Sequence, residues 1–256
     1  MRKLYSVNAP YDGLGQQFRL TPFEEWSVNH KSFVDKIGSR EEYEMQYAGH
    51  KEGRYHRTSL HELYNDSHNV LVLGAGNGFS DFDFYTRYQN NKIILSDVSD
   101  SVLQKISGYY GFKAMKIDSR IIDLPDSSQD LVYSLASEYF FDDRDYERML
   151  SEVARVLRAG RPCLISTVCL DEPFDDFSVK GCLLRFLSER PFLWVLLNKL
   201  RGINNLKWTG YRRSLEDHYR VFKKVGALRL ERIEFDYEDT RLKSTAFLFI
   251  KERYGR

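Results

Sequence analysis

The sequence contains few cysteines, almost no net charge and no long apolar run, and each shortage argues against a class of protein. Its three cysteines follow no CxxC or Cys/His spacing, which indicates buried thiols in a reducing compartment rather than disulfides or zinc ligands. None of the six histidines has a carboxylate or cysteine partner at a metal-ligand spacing, so no metal site is expected. A net charge of +1 lacks the strong positive field of a dedicated nucleic-acid binder. No apolar stretch reaches the length of a bilayer span and no signal peptide is visible, so we expect a cytoplasmic protein.

The middle of the sequence alternates short apolar runs with segments of helical spacing. Apolar runs at 70–73, 93–97, 130–135 and 163–168 are typical of strands buried on both faces of a parallel sheet. Among the segments between them, 144–157 is the clearest helix because its apolar residues recur every three or four positions. This alternation predicts right-handed crossovers and a doubly wound α/β fold.

Two further strand candidates close the sequence. The segments RLERIEFDYE and STAFLFIKER are separated by a turn too short for a parallel crossover, which predicts an antiparallel hairpin at one edge of the sheet. We interpret the chain as a single domain with four parts. They are an N-terminal arm with one or two short helices (1–69), a core (70–170), a cap insertion (171–213) and a C-terminal helix with the edge hairpin (214–256).

The most informative segment is VLVLGAGNGFS, in which Gly74, Gly76 and Gly78 follow a buried strand and precede a helix. Glycines let the backbone turn sharply and approach a ligand, toward which the free N–H groups of the next helix point. Asp97 ends the second strand, where a carboxylate can accept hydrogen bonds from both ribose hydroxyls of an adenosine. A dinucleotide fingerprint would need glycine at Phe79, so an NAD-type oxidoreductase is the weaker alternative.

A third element follows the next strand, where Asp118 and Ser119 come after KAMKI. Together with the glycine cluster, Asp97 and the closing segment EVARVLRAGRPCLIST, this order resembles class I S-adenosylmethionine-dependent methyltransferases over about residues 70–168. The resemblance implies a Rossmann-like fold with seven mostly parallel strands, S-adenosylmethionine as the cofactor and methyl transfer as the activity. The sequence departs from the family at Val72, where an acidic residue often stands, and this keeps a non-catalytic interaction module as an alternative.

The resemblance also implies which residues hold the cofactor. They are Gly74, Ala75, Gly76, Gly78, Asp97, Val98, Asp118, Ser119 and Ser134. The glycine turn would run beside the methionine part, Asp97 would hold the ribose, and Val98 would pack on the adenine. Asp118 would accept a hydrogen bond from the adenine amino group. Residues 134–139 would line the sulfonium and the methyl acceptor.

The chemistry needs few catalytic groups. Methyl transfer from a sulfonium is a one-step displacement that requires an aligned acceptor and neither a covalent nucleophile nor a metal. If the acceptor is a hydroxyl, a base must take its proton. Glu138 and Tyr139, just past the fourth core strand, are the candidate catalytic residues, with His218 or an arm histidine as alternatives. We prefer Glu138 because ligands bind at this edge of an open sheet, while a solvated loop position is the alternative interpretation of this residue.

Residues 181–206 combine basic and large apolar side chains, and the wider range 180–229 carries twelve Lys or Arg against three Asp or Glu. This composition is typical of an interfacial membrane helix, an anionic-substrate pocket or a cap packed on the core. We interpret the segment as a cap, with peripheral contact to the inner membrane face as the alternative. The resemblance implies a small-molecule, sugar or lipid-linked acceptor and no nucleic acid, and the oligomeric state carries no prediction.

Overall fold

The computed structural model of the protein describes the core of the chain and parts of its flanks. The described residues are 2–6, 39, 41–42, 57–75, 88, 91–100, 103–104, 107–108, 111–135, 137–138, 141–170, 200, 207–213, 215–236 and 242–252. Within these residues no helix has the length and apolar character needed to cross a membrane. The predicted cap segment 181–206 lies outside the described residues except for Leu200, whose side chain is exposed.

The four apolar runs of the core form strands, as the pattern predicts, and the helix predicted before the last of them is present. The helices predicted between the first three runs lie largely outside the described residues. The strands are β1 (Arg2–Ser6), β2 (Val70–Leu73), β3 (Ile93–Asp97), β4 (Lys113–Lys116), β5 (Leu131–Leu135), β6 (Pro162–Leu170), β7 (Lys207–Arg212), β8 (Leu228–Asp236) and β9 (Leu242–Lys251). The helices are α1 (Arg57–Leu63), α2 (Asp143–Val156) and α3 (Leu215–Phe222).

Seven strands form one sheet in the order β4-β3-β2-β5-β6-β9-β8. Each neighbouring pair from β4 to β6 is parallel, whereas β9 runs antiparallel to both β6 and β8. The predicted seven-stranded, mostly parallel sheet with an antiparallel edge hairpin is therefore confirmed. Because β2 lies between β3 and β5, the chain reverses its direction of winding there, and ligands bind at such a point in open α/β sheets.

Alternate residues of the strands pack into two separate cores, one on each face of the sheet. On one face Leu71, Val132 and Phe247 lie in a cluster with α2 and α3. On the other face Val70 and Val72 lie in a cluster with Leu60 of α1. Strands covered on both sides need apolar residues at every position, which explains why VLVL lacks a polar–apolar alternation.

Helix α2 shows how the sequence positions one of these layers. Asp142 caps its first turn, because the Asp142 side chain accepts a hydrogen bond from the Asp145 N–H at 2.9 Å. Tyr146, Met149 and Val153 follow at three- and four-residue steps and are buried against the sheet. The helix predicted at 144–157 is thus present, with its start fixed by an aspartate immediately after the candidate catalytic loop.

The N-terminal arm contains a strand that the sequence pattern did not predict. Strand β1 pairs antiparallel with β7 in a separate two-stranded sheet, in which Arg2 lies opposite Arg212. The arm therefore joins residues that the sequence assigned to the end of the cap insertion. The four-part division of the chain stays a prediction.

Candidate active site

The carboxyl ends of the central strands bring the predicted site residues to one edge of the sheet. Leu73, the last residue of β2, is in register with Ser96 of β3 on one side and Ser134 of β5 on the other. Gly74 follows directly on Leu73, and Asp97 follows directly on Ser96. The parallel register thus places the glycine turn between the carboxylate of β3 and the hydroxyl of β5.

Gly74 turns the chain in a conformation that favours glycine. Its φ is +65°, and the next residue, Ala75, donates its backbone N–H to the Ser96 carbonyl oxygen at 2.9 Å. A Cβ at position 74 would lie 2.6 Å from the Cβ of Ser137. The loop after β5 therefore packs directly on this glycine. Gly76 and Gly78 lie outside the described residues.

Asp97 is buried at the end of β3, with its side chain turned back onto the following loop. Its Oδ1 accepts a hydrogen bond from the Ser99 N–H at 2.9 Å, and its side chain is 2% exposed. The Ser99 carbonyl oxygen accepts the Leu103 N–H, as expected at the start of a helix. Ser99, rather than Asp97, thus occupies the capping position. Val98 between them is half-buried.

Asp118 lies beyond β4 and is held by an arginine that the sequence analysis did not single out. Arg120 donates to both carboxylate oxygens of Asp118 and reaches Asp145 at the start of α2 at 2.9 Å. Burial alone would raise the pKa of Asp118, but the hydrogen bonds and charge of Arg120 outweigh it and lower that pKa. Asp118 is therefore an anion with part of its accepting capacity already used. Ser119 beside it is buried.

Two serine hydroxyls line the end of β5. Ser134 Oγ and Ser137 Oγ share a hydrogen bond, and Ser134 is fully buried. Because Ser137 also contacts Gly74, this bond fixes the β5 loop against the glycine turn. No sequence pattern indicated a role for Ser137 beyond its place in the range 134–139. Tyr139 lies outside the described residues.

Glu138 is buried, whereas the alternative interpretation of the sequence was a loop residue exposed to solvent. Its side chain is 1% exposed, and Thr167 of β6 donates its hydroxyl to Glu138 Oε1. Among the described residues, Glu138 Oε2 has no hydrogen-bond partner. Burial raises the pKa of Glu138 to about 7, while the Thr167 hydrogen bond and the charge of Arg213 oppose this rise. The carboxyl therefore changes its protonation near neutral pH.

Arg213 and His218 are buried beside this loop. Arg213 donates to the Phe141 carbonyl oxygen at 2.7 Å and pairs with Asp143 at 2.9 Å. His218 Nδ1 lies 3.4 Å from the hydroxyl of Tyr146, and burial together with Arg213 lowers the His218 pKa to about 3. The alternative base His218 is thus a neutral ring inside the aromatic core of α2 and α3.

Comparisons with known proteins agree with this arrangement. Residues 70–160 match the family model described as a methyltransferase domain. A search of curated proteins finds no significant match.

Solved structures share the fold at low sequence identity. An S-adenosylmethionine-dependent methyltransferase from Methanosarcina mazei is 12% identical, covers 76% of this chain and 97% of its own, and superposes with a TM-score of 0.56. A putative methyltransferase from Haloferax volcanii, solved with the Trm112 methyltransferase activator, is 15% identical, with 88% and 98% coverage and a TM-score of 0.56. Geranyl diphosphate C-methyltransferase from Streptomyces coelicolor is 11% identical, with 75% and 73% coverage and a TM-score of 0.50.

The seven-stranded, mostly parallel sheet matches the fold of these structures. The family model covers β2 through α2, the part of the chain whose strand ends form the candidate site. Residues 70–160 are therefore a methyltransferase domain, and the chain shares its fold with S-adenosylmethionine-dependent methyltransferases.

Proposed function

We propose that this methyltransferase acts on a hydroxyl of a small-molecule, sugar or lipid-linked acceptor, with Glu138 as the base. The observation that carries the proposal is the Glu138 carboxyl, which is buried at the substrate edge of the sheet. Thr167 fixes Oε1, and Oε2 has no partner among the described residues. A buried acceptor atom without a partner is costly, so a donor supplied by the substrate would stabilise it.

The cofactor role is proposed for residues at the ends of β2, β3, β4 and β5. S-adenosylmethionine supplies a methyl group on a positively charged sulfur, which an acceptor displaces in one step. Asp97 would bind the ribose hydroxyls from the end of β3, and Asp118 would accept a hydrogen bond from the adenine amino group. The backbone at Gly74 and Ala75 would lie along the methionine part, with Ser134 beside it. The buried Asp97 and the positive φ of Gly74 support these roles.

Glu138 would take the proton released by the acceptor. Methyl transfer would leave the electron pair of the carbon–sulfur bond on the sulfur of the cofactor and would make the acceptor hydroxyl strongly acidic. The hydroxyl proton passes to Glu138 Oε2. A carboxyl with a pKa of about 7 is a stronger base than an ordinary glutamate and is still substantially ionised at neutral pH. Thr167 would keep the carboxyl in one orientation during the transfer.

The acceptor class is proposed from the sequence of 181–206 and from the family. Basic and large apolar residues in that segment suit an acceptor that is anionic, apolar or both. A structural neighbour is named for geranyl diphosphate, so this fold can accommodate an isoprenoid acceptor. We place the protein in the cytoplasm and propose that 181–206 is a cap, with peripheral contact to the inner membrane face as the alternative. Co-sedimentation with anionic and neutral vesicles distinguishes this contact from a cap that only covers the core.

The first experiment is calorimetric titration of the purified protein with S-adenosylmethionine and S-adenosylhomocysteine, with NAD and NADP as controls. We expect micromolar binding of the two adenosyl-sulfur ligands alone. A folded protein that binds none of the four would favour the non-catalytic interaction module and contradict the proposal.

The second experiment identifies the acceptor and tests the base. Transfer of a radiolabelled methyl group is measured against sugars, lipid-linked sugars and isoprenoid diphosphates. With the acceptor that is found, Glu138→Gln should slow turnover while S-adenosylhomocysteine affinity stays near the wild-type value. Glu147→Gln serves as the matched control, because Glu147 is a partly exposed residue of α2 whose carboxylate pairs with Lys224 at 3.3 Å. Equal turnover of Glu138→Gln and wild type would remove Glu138 from the proton step.

A further inference from the structure

The residue after β7 sits beneath the loop that carries the proposed base. Arg213 is 1% exposed, an unusual position for a guanidinium. Its Nε donates to Asp143 at 2.9 Å, and its Nη2 donates to the Phe141 carbonyl oxygen at 2.7 Å. Its guanidinium also lies 4.9 Å from the centre of the Tyr146 ring. The side chain is thus held on several sides by groups from the β5 loop and α2.

These contacts reach Glu138 through its own turn. The Phe141 N–H donates to the Glu138 carbonyl oxygen at 3.1 Å, and the Phe141 carbonyl oxygen accepts from Arg213. Arg213 therefore braces the far end of the turn that begins at Glu138. Its positive charge also acts on the Glu138 carboxyl and favours the ionised form.

We infer that Arg213 is a positioning residue for methyl transfer: it holds the 138–141 turn in place and keeps Glu138 available as an anion. The inference rests on the proposed function of Glu138. It also gives β7 a role, because Arg213 follows this strand directly, and β7 is the strand to which the N-terminal β1 pairs. The sheet formed by β1 and β7 therefore leads directly to the residue that positions Glu138.

The test measures the titration of Glu138 in wild type, Arg213→Met and Arg213→Lys. Carboxyl ¹³C signals of labelled glutamate are followed by NMR, and Glu138→Gln identifies the relevant signal. We expect a wild-type midpoint near neutrality, a higher midpoint in Arg213→Met because the positive charge is lost, and recovery toward wild type in Arg213→Lys. A merely structural arginine would leave the midpoint unchanged. An unchanged midpoint in folded Arg213→Met would overturn the inference.

A second measurement covers the case in which Arg213→Met does not fold. Urea unfolding is compared for wild type, Arg213→Gln, Glu138→Gln and the double variant at pH 5 and pH 8, because glutamine removes the charge of Arg213 but can still donate a hydrogen bond. The groups that face Glu138 in the described residues are Arg213 and Thr167, with His218 and Asp143 beside Arg213. We expect the two substitutions to be non-additive at pH 8, where Glu138 is ionised, and additive at pH 5, where it is protonated. Additivity at both pH values would overturn the inference.

Titration of wild type with S-adenosylhomocysteine separates this inference from the proposed function. Binding of that ligand without coupling between Arg213 and Glu138 would overturn the positioning role alone. Coupling without binding would refute the proposed function, and Arg213 would then be a structural partner of Glu138 with no role in methyl transfer.

Discussion

The buried Glu138 carboxyl should make the free energy of unfolding fall as the pH rises, and Glu138→Gln should remove this fall. Its pKa is raised from 4.5 to about 7 in the folded state because burial disfavours the anion. Between these two values the folded state binds more protons than the unfolded chain. Stability contributed by this group is therefore lost as the pH rises, with the window running from about pH 4.5 to about pH 7.

The magnitude follows from the two pKa values. Between pH 5 and pH 8 the linkage relation gives a loss of about 2–3 kcal/mol in the free energy of unfolding for this single group. Glutamine has nearly the same shape and does not ionise, so Glu138→Gln should lack this loss. Relative to wild type, the variant should gain about 2–3 kcal/mol on going from pH 5 to pH 8.

Urea unfolding followed by circular dichroism at pH 5 and pH 8 gives the change in the free energy of unfolding with pH for each protein, and this change is compared between Glu138→Gln and wild type. Other groups titrate in the same range, but they are common to both proteins and cancel. Glu147→Gln is the matched control, since it retains the buried Glu138 and should show the same change in stability between pH 5 and pH 8 as wild type, apart from a constant difference due to its lost ion pair with Lys224. If Glu138→Gln and wild type differ equally at pH 5 and pH 8, Glu138 is not the desolvated carboxyl described here, and the reasoning fails.

Two further predictions concern the edge of the sheet. Gly74→Ala should destabilise the protein by about 1–3 kcal/mol in thermal or urea unfolding, because a Cβ there meets Ser137 in addition to the positive φ. Gly111→Ala, with a φ of +70° and open space around it, separates the two causes, and equal losses in both variants would show that the contact with Ser137 is unimportant. Asp97→Ala should weaken S-adenosylhomocysteine binding about ten- to hundredfold in calorimetry, since the proposed hydrogen bonds to the ribose hydroxyls would be lost. The exposed Asp100→Ala is its control, and an unchanged dissociation constant in folded Asp97→Ala would remove Asp97 from the proposed site.

The sequence predicted the sheet well because burial on both faces leaves a local signature. A continuous apolar run such as VLVL or IILSD indicates a buried strand without reference to the rest of the chain, and β2 and β3 have the predicted bounds. The placement of Asp97 and Ser134 at one edge then follows from parallel pairing alone. For the same reason the edge hairpin could be predicted from the short turn between two strand-like segments.

The environment of Glu138 could not be predicted in this way. The aspartates near Glu138 in the sequence suggested a loop exposed to solvent. In the structure Asp142 caps α2 and Asp143 pairs with Arg213, and Glu138 itself is buried. Burial raises the Glu138 pKa, and the two side chains that oppose this rise, Thr167 and Arg213, are distant in sequence. Strand β7 was missed for a related reason, since KWTGYR has no apolar run and acquires its structure by pairing with β1.

The position of β9 has a consequence for how the chain reaches its folded state. β9 is the last strand of the sheet in chain order, yet it lies between β6 and β8, and it pairs with every residue of β6 from Pro162 to Leu170. During synthesis, a chain that has emerged only as far as β8 cannot complete this pairing. The long edge of β6 would then present unpaired backbone groups, an arrangement that favours association with other chains. The β6 edge stays unpaired until residues 242–251 have been synthesised. Rapid folding of β9 onto β6, or a chaperone that covers the edge, would prevent association during this interval.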